Sequence, residues 1–307
     1  MIPPRTPPGP KGHWLSGNLP EFRRDRLDFL TNCVRAFGDM VKIRLAHRRV
    51  YLVGHPDLLE EVFVTQSKNF IKHFALRLNP VLLGKGLLTS EGDFWLRQRR
   101  LIQPVFSRAR IASYAGTMVA ATERRLAGWK AGERRDIHEE MMALTLDIAA
   151  KTLFGTEVSH ESRAIAEAMQ VMQDNFLRRF NSLWPAPLWL PTPANLRARR
   201  AVRQLDAVLF QIIQQRRTQK IDNGDLLSLL LSARDEDDGT GMTDQQLRDE
   251  AMTLFLAGHE TTALVLSWTW YLMAQNPEAE KKLWAELDAV LAGRAPTVED
   301  CPRLKFA

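Results

Sequence analysis

The sequence predicts a mainly α protein, and three observations carry that prediction. Apolar residues recur at helical spacing over most of the chain, strand-like alternation is confined to about 41–53, and one helical pattern runs unbroken over about 243–275. With 307 residues the chain can hold one large domain or two ordinary ones. Its 45% hydrophobic and 25% charged residues match a soluble globular protein, which excludes disorder, collagen-like repeats and a dominant coiled coil. The net charge of +6 favours acidic partners without requiring nucleic acid. Two cysteines, Cys33 and Cys301, are too few for a disulfide framework and lack the paired spacing of a zinc site, so a reducing, cytoplasmic setting is expected.

The elements follow in order. A proline-rich lead segment covers 1–20, with Pro7-Pro8-Gly9-Pro10 at its centre, and has neither signal-peptide nor membrane-anchor character. Leu27, Leu30, Val34 and Phe37 give a helix over 25–37 that Gly38-Asp39 ends. Val41–Leu45 and Arg49–Val53 alternate across a short polar link and read as a β-hairpin. His55-Pro56-Asp57 opens another helix, because Pro and Asp suit a first turn. Helical spacing then covers about 92–130, 138–154, 161–183, 195–219, 243–275 and 278–292. Prolines interrupt it at 184–193, and the polar stretch Arg234–Gly241 interrupts it again. The apolar run Ala251–Ala274 has transmembrane length, but His259 and Glu260 near its middle would be costly in lipid, so it reads as a buried helix.

The long helix carries the most chemistry. Thr243 with Gln246 forms a capping-box pattern, and about 33 residues at 1.5 Å each span about 50 Å, enough to cross a domain. Its middle, Ala257-Gly258-His259-Glu260-Thr261-Thr262, combines small residues, an acid and two hydroxyls, a choice helix propensity does not explain. One reading is a close helix crossing at Ala257-Gly258 with Glu260 on a wet face. The other is a ligand site: Thr261 lies four residues after Ala257, so its hydroxyl can take the Ala257 carbonyl and bend the helix, while the small residues admit a flat ligand and Glu260 delivers protons. His259-Glu260 also begins an H-E-x-x-H zinc signature, but Ala263 replaces the second histidine and removes that geometry.

Ala-Gly-x-Glu-Thr-Thr in a long central helix resembles the oxygen-activation signature of the cytochrome P450s, the haem-thiolate monooxygenases. Trp95-Leu96-Arg97-Gln98-Arg99 is similar to that family's W-x-x-x-R, on a helix over about 92–107, with Trp95 and Arg99 on one face. An indole N–H and a guanidinium can both donate to a haem propionate. The order of elements also resembles the family over the whole chain. The resemblance therefore implies a single P450-like domain over 1–307, helical with a small β-hairpin near its start. It implies the first two-thirds of such an enzyme, truncated after the long helix and the helix that follows. The family's E-x-x-R pair and cysteine loop are not matched: Glu21-Phe22-Arg23-Arg24 has the spacing at the wrong end, and Cys33 and Cys301 lack the glycine-rich loop.

The activity implied is insertion of one oxygen atom of O2 into an apolar organic substrate, of the lipid or fatty-acid class. Haem (iron protoporphyrin IX) would be the cofactor, with electrons from NAD(P)H through a partner. Thr261 would steady dioxygen and water, Glu260 would relay protons, and Ala257 and Gly258 would leave room beside the cofactor. Trp95 and Arg99 would anchor it, and Leu88 and Leu256 would wall the substrate. With no metal ligand matched, the chain alone is expected to be inactive. Arg97, Arg100, Arg108 and Arg110 either steer an acidic ferredoxin- or flavodoxin-type partner or form a solvated basic face. No nucleic-acid motif accompanies Arg197, Arg199, Arg200, Arg216 or Arg217. The alternative function is a helical ligand-binding protein that keeps the fold without the haem thiolate.

Overall fold

The computed structural model describes residues 6–73, 83–155, 189–219 and 223–307, with scattered positions between (76, 168, 170–172, 174–175, 178–179, 182, 187). Much of the helical pattern read at 161–183 and four positions of the proline stretch at 184–193 (184–186 and 188) lie outside the described residues. The contacts divide the chain into two compact units, 1–72 and 73–307.

In the first unit, α1 (Leu19–Arg24) begins with proline in its first turn, and α2 (Arg26–Phe37) is capped by the Asp25 carboxylate, which accepts the Asp28 N–H at 2.9 Å. The lead segment read as 1–20 therefore ends slightly early, because Pro20 starts a helix. Strands β1 (Met40–Leu45) and β2 (Arg48–Val53) pair antiparallel with Met40 opposite Val53. Cys33, Val41 and Ile43 form the buried core of this unit. α3 (Pro56–Glu60) runs into a π turn at Glu61–Thr65.

In the second unit, the expected helix over 92–107 is shorter. α4 (Gly92–Ile102) gives way to a 3-10 turn at Gln103–Phe106, because Pro104 has no N–H for the α ladder. Two further helices, α5 (Arg108–Ser113) and α6 (Ala115–Ala127), replace the single pattern read to 130. α7 (Ile137–Phe154) and α8 (Pro193–Gln219) lie close to the sequence reading. α9 (Leu226–Ser232) is a further helix, outside the helical spacing of the sequence. α10 (Asp244–Gln275) starts from the expected capping box, with Gln246 N–H on Thr243 Oγ1 at 3.2 Å and Thr243 N–H on Gln246 Oε1 at 2.8 Å. α11 (Pro277–Leu291) follows.

α10 and α7 pack along each other at the centre of this unit. Leu146, Ala149, Ala150 and Phe154 of α7 meet Leu247, Ala251, Met252 and Phe255 of α10, with α8 and α9 closing the cluster through Leu205, Ile213, Leu227 and Leu230. Burial of these side chains supplies the main stabilisation, about 1.5–3 kcal/mol for each large one. The reading of α10 as a buried helix holds for its first half only. Beyond Ala257 one face opens, with Val265 65%, Trp268 60% and Tyr271 56% exposed. Apolar periodicity identifies such a face but not what covers it. No described helix is long and apolar enough to cross a membrane.

Candidate active site

At the midpoint of α10 the helix leaves the core, and there the site residues concentrate. Thr261 Oγ1 donates to the Ala257 carbonyl at 2.5 Å, the i to i−4 bond that the spacing predicted. Both residues lie on the exposed side of α10. A Cβ built on Gly258 would meet nothing within 4 Å, so the helix surface here borders open space. Ala257, Gly258, Thr262 and Leu266 line a cavity of about 1010 Å3 together with Met141 and Leu144 of α7.

Glu260 does not share that face. Neighbours i and i+1 on a helix point in different directions, and Glu260 is half-buried with the exposed His138, near the start of α7, as an electrostatic neighbour. Burial raises its carboxyl above the ordinary range and His138 partly offsets this. His259 turns the opposite way. It is 5% exposed, stacks on Phe255 with ring centres 6.2 Å apart, and bonds the Met142 backbone of α7. Burial lowers its imidazole pKa, and the Met142 bond opposes that shift. Sequence reasoning gave His259 no role because its partner lies on another helix.

On α4 the Arg99 guanidinium sits over the Trp95 ring, 5.3 Å from its centre, as the four-residue spacing predicted. Arg99 is exposed and Trp95 half-buried, so this face can present a guanidinium and an indole to an anion. Arg97 and Arg100, expected on a basic docking face, are instead engaged by the polar loop before α10. Arg97 Nε pairs with the buried Asp235 at 3.0 Å, Arg97 Nη2 donates to Thr240 Oγ1 at 2.6 Å, and Arg100 pairs with Asp237 at 2.9 Å. Arg108 and Arg110 stay exposed. Arg216 and Arg217 also serve the fold, through Asp225 and Asp244, both at 2.6 Å.

Leu88 is 38% exposed on the loop before α4. Leu256 packs against the main core. Being one residue before Ala257, it points toward the buried side of α10, so the structure does not bring it to the open face with Thr261. Neither leucine, nor Trp95, Arg99, Glu260 or Thr261, lines the cavity, whose predicted site residues are Ala257 and Gly258 alone.

The donor chemistry suits a flat cofactor with anionic edges: small side chains and open space along α10, and a cation stacked on an indole on α4. Cys33 is buried in the first unit, where burial raises its thiol pKa, and Cys301 is exposed after a 3-10 turn. Among the described residues no cluster of His, Cys, Asp and Glu could hold a metal ion.

Comparison with known proteins points one way. The family model described as cytochrome P450 matches residues 7–307. Cyclooctatin synthase of Streptomyces melanosporofaciens is 38% identical over 301 residues, 97% of this chain and 65% of that protein. Cyclooctat-9-en-7-ol 5-monooxygenase of the same organism is 34% identical over 100% of this chain and 69% of its own length. Pentalenene oxygenase of Streptomyces avermitilis is 35% identical over 94% and 64%. Among solved structures, the cytochrome P450DA heme domain superposes with a TM-score of 0.86 at 26% identity, over 98% of this chain and 67% of that one. The chain thus spans about two thirds of the length of the relatives it matches.

Proposed function

Because the chain belongs to the cytochrome P450 family, we propose that it supplies the oxygen-facing wall and the propionate anchor of a haem-dependent monooxygenase that inserts one atom of O2 into an apolar organic substrate. The haem, when bound, would supply reductive activation of O2; Cys33, buried in the first unit, and Cys301, exposed after a 3-10 turn, are given no part in holding it. Ala257 and Gly258 leave a flat space beside α10 without side-chain bulk. Thr261, held by the Ala257 carbonyl, keeps its hydroxyl oxygen available as an acceptor for a water on the open face. Glu260 keeps its proton to higher pH than an ordinary glutamate, has the exposed His138 as an electrostatic neighbour, and relays protons from its own side of α10. Trp95 and Arg99 orient the cofactor through its carboxylates.

The relatives' names, which specify cyclooctat-9-en-7-ol and pentalenene, favour a compact ring substrate over a long-chain lipid. Leu88 borders the substrate, and Leu256 acts from behind through the core. Electrons come from NAD(P)H through an acidic ferredoxin or flavodoxin. Arg108 and Arg110, both exposed, meet it, and the chain works as one domain in the cytoplasm.

The observation that carries this reading is the Thr261 to Ala257 bond on the open face of α10. It is tested by Thr261→Ala in the holoenzyme, with NAD(P)H consumption, peroxide release and product measured together. Substrate binding should be nearly unchanged while the product formed per NAD(P)H falls several-fold and peroxide rises. Unchanged coupling would assign Thr261 to helix geometry alone.

A further inference from the structure

Asp249 and Glu250, in the buried half of α10, take no part in the chemistry just proposed, yet they are only 4% and 0% exposed. A carboxylate buried this deeply is tolerated only when its oxygens are well hydrogen-bonded, so its partners indicate what it does. Glu250 Oε2 accepts the Leu87 backbone N–H at 2.9 Å, and Oε1 accepts from the Gln98 side-chain amide at 3.1 Å. Asp249 Oδ2 accepts the Lys85 N–H at 2.8 Å. The loop can lie this close only because it carries glycines. A Cβ at Gly86 would stand 2.2 Å from Thr253 Oγ1, and one at Gly84, where φ is +52°, would stand 2.1 Å from the Asp249 carboxylate.

These two partners of Glu250 belong to different parts of the site. Leu87 precedes Leu88 on the loop. Gln98, 0% exposed, precedes Arg99 on α4. Glu250 itself lies on α10, two helical turns before Ala257. We infer that Glu250 is a positioning residue: a single buried carboxylate ties the Leu88 loop and the Trp95–Arg99 helix to the helix that carries Ala257 and Thr261. Its consequence for substrate and haem rests on the monooxygenase reading, whereas the tie itself rests on geometry alone.

The test compares Glu250→Leu with Glu250→Gln. No described group donates to Gln98 Oε1, so the Gln98 amide can reverse and accept from the new glutamine, whose own oxygen keeps the Leu87 N–H. The glutamine variant therefore retains both ties and the leucine variant neither. In protein shown to be folded by circular dichroism, Leu87 amide exchange should accelerate about tenfold or more in Glu250→Leu and stay near wild type in Glu250→Gln. In the holoenzyme, Glu250→Leu should raise the substrate KM about tenfold with kcat little changed, and Glu250→Gln should restore it. A folded leucine variant with wild-type exchange at Leu87, or wild-type KM, overturns the inference. If Glu250→Leu does not fold, Gln98→Met, which is close in size and cuts one tie, should still accelerate exchange in α4, and unchanged exchange there overturns it. A wild-type protein that binds no haem would defeat the functional reading, while the exchange result would still decide the tie.

Discussion

At the scale of single residues, the middle of α10 sends neighbouring side chains to different surroundings, Thr261 to an exposed side and His259 into contact with α7. The Thr261 to Ala257 bond and the stacking of Arg99 on Trp95 follow from four-residue spacing, and both are present. His259 shares the same six-residue motif, yet its role depends on Met142, which no local pattern reveals. Because burial depresses its pKa, the unfolded chain binds a proton there more readily than the folded one. Stability from this group is therefore present above the ordinary imidazole value of about 6.5 and is lost as pH falls through that value toward the depressed one. Chemical denaturation at pH 7.5 and pH 5.5 should show a larger acid-side loss for the wild type than for His259→Gln, which keeps a donor for the Met142 carbonyl but does not titrate. Equal losses in the two proteins would show that His259 does not contribute.

At the scale of elements, end signals were more informative than periodicity. The capping box at Thr243 set the start of α10, whereas helical spacing alone merged α4, α5 and α6 into one pattern although Pro104 stands between the first two. α9 escaped notice because Leu226–Leu231 is a short apolar run with no period to read. Its start is fixed by Asp225, 3% exposed, which accepts the Ser228 N–H at 2.8 Å and the buried Arg216 guanidinium at 2.6 Å. Arg216 also donates to the Phe154 carbonyl at 2.8 Å, so one ion pair joins the ends of α7, α8 and α9. Asp225→Ala strips the cap and leaves the arginine buried without its counter-charge. It should cost about 3–5 kcal/mol in denaturant unfolding, and Asp225→Asn, which keeps the cap, should cost less. A loss below about 1 kcal/mol for the alanine variant would show that Arg216 relaxes into solvent.

At the scale of the whole molecule, family motifs revealed more than composition or charge. Composition gave a globular protein and the periodicity gave helices, but the identity of the site came from two short motifs on α4 and α10. What remained hidden was the use of charge. Arginines that looked like a docking surface are partly spent on the Asp235–Asp237 loop, because sequence shows charges without their partners. This bears on the choice of control for the central claim that the Trp95–Arg99 face anchors haem. Arg97→Leu would break a pair with the buried Asp235, so Arg100, whose Asp237 pair is exposed, is the better comparison. The deciding measurement is haem bound per protein, by pyridine haemochrome, for Arg99→Leu and Arg100→Leu holoenzymes purified alongside the wild type. Arg99→Leu should retain clearly less haem while Arg100→Leu stays near the wild-type content. Equal haem content in the two variants would contradict the assignment and leave α4 a merely basic surface.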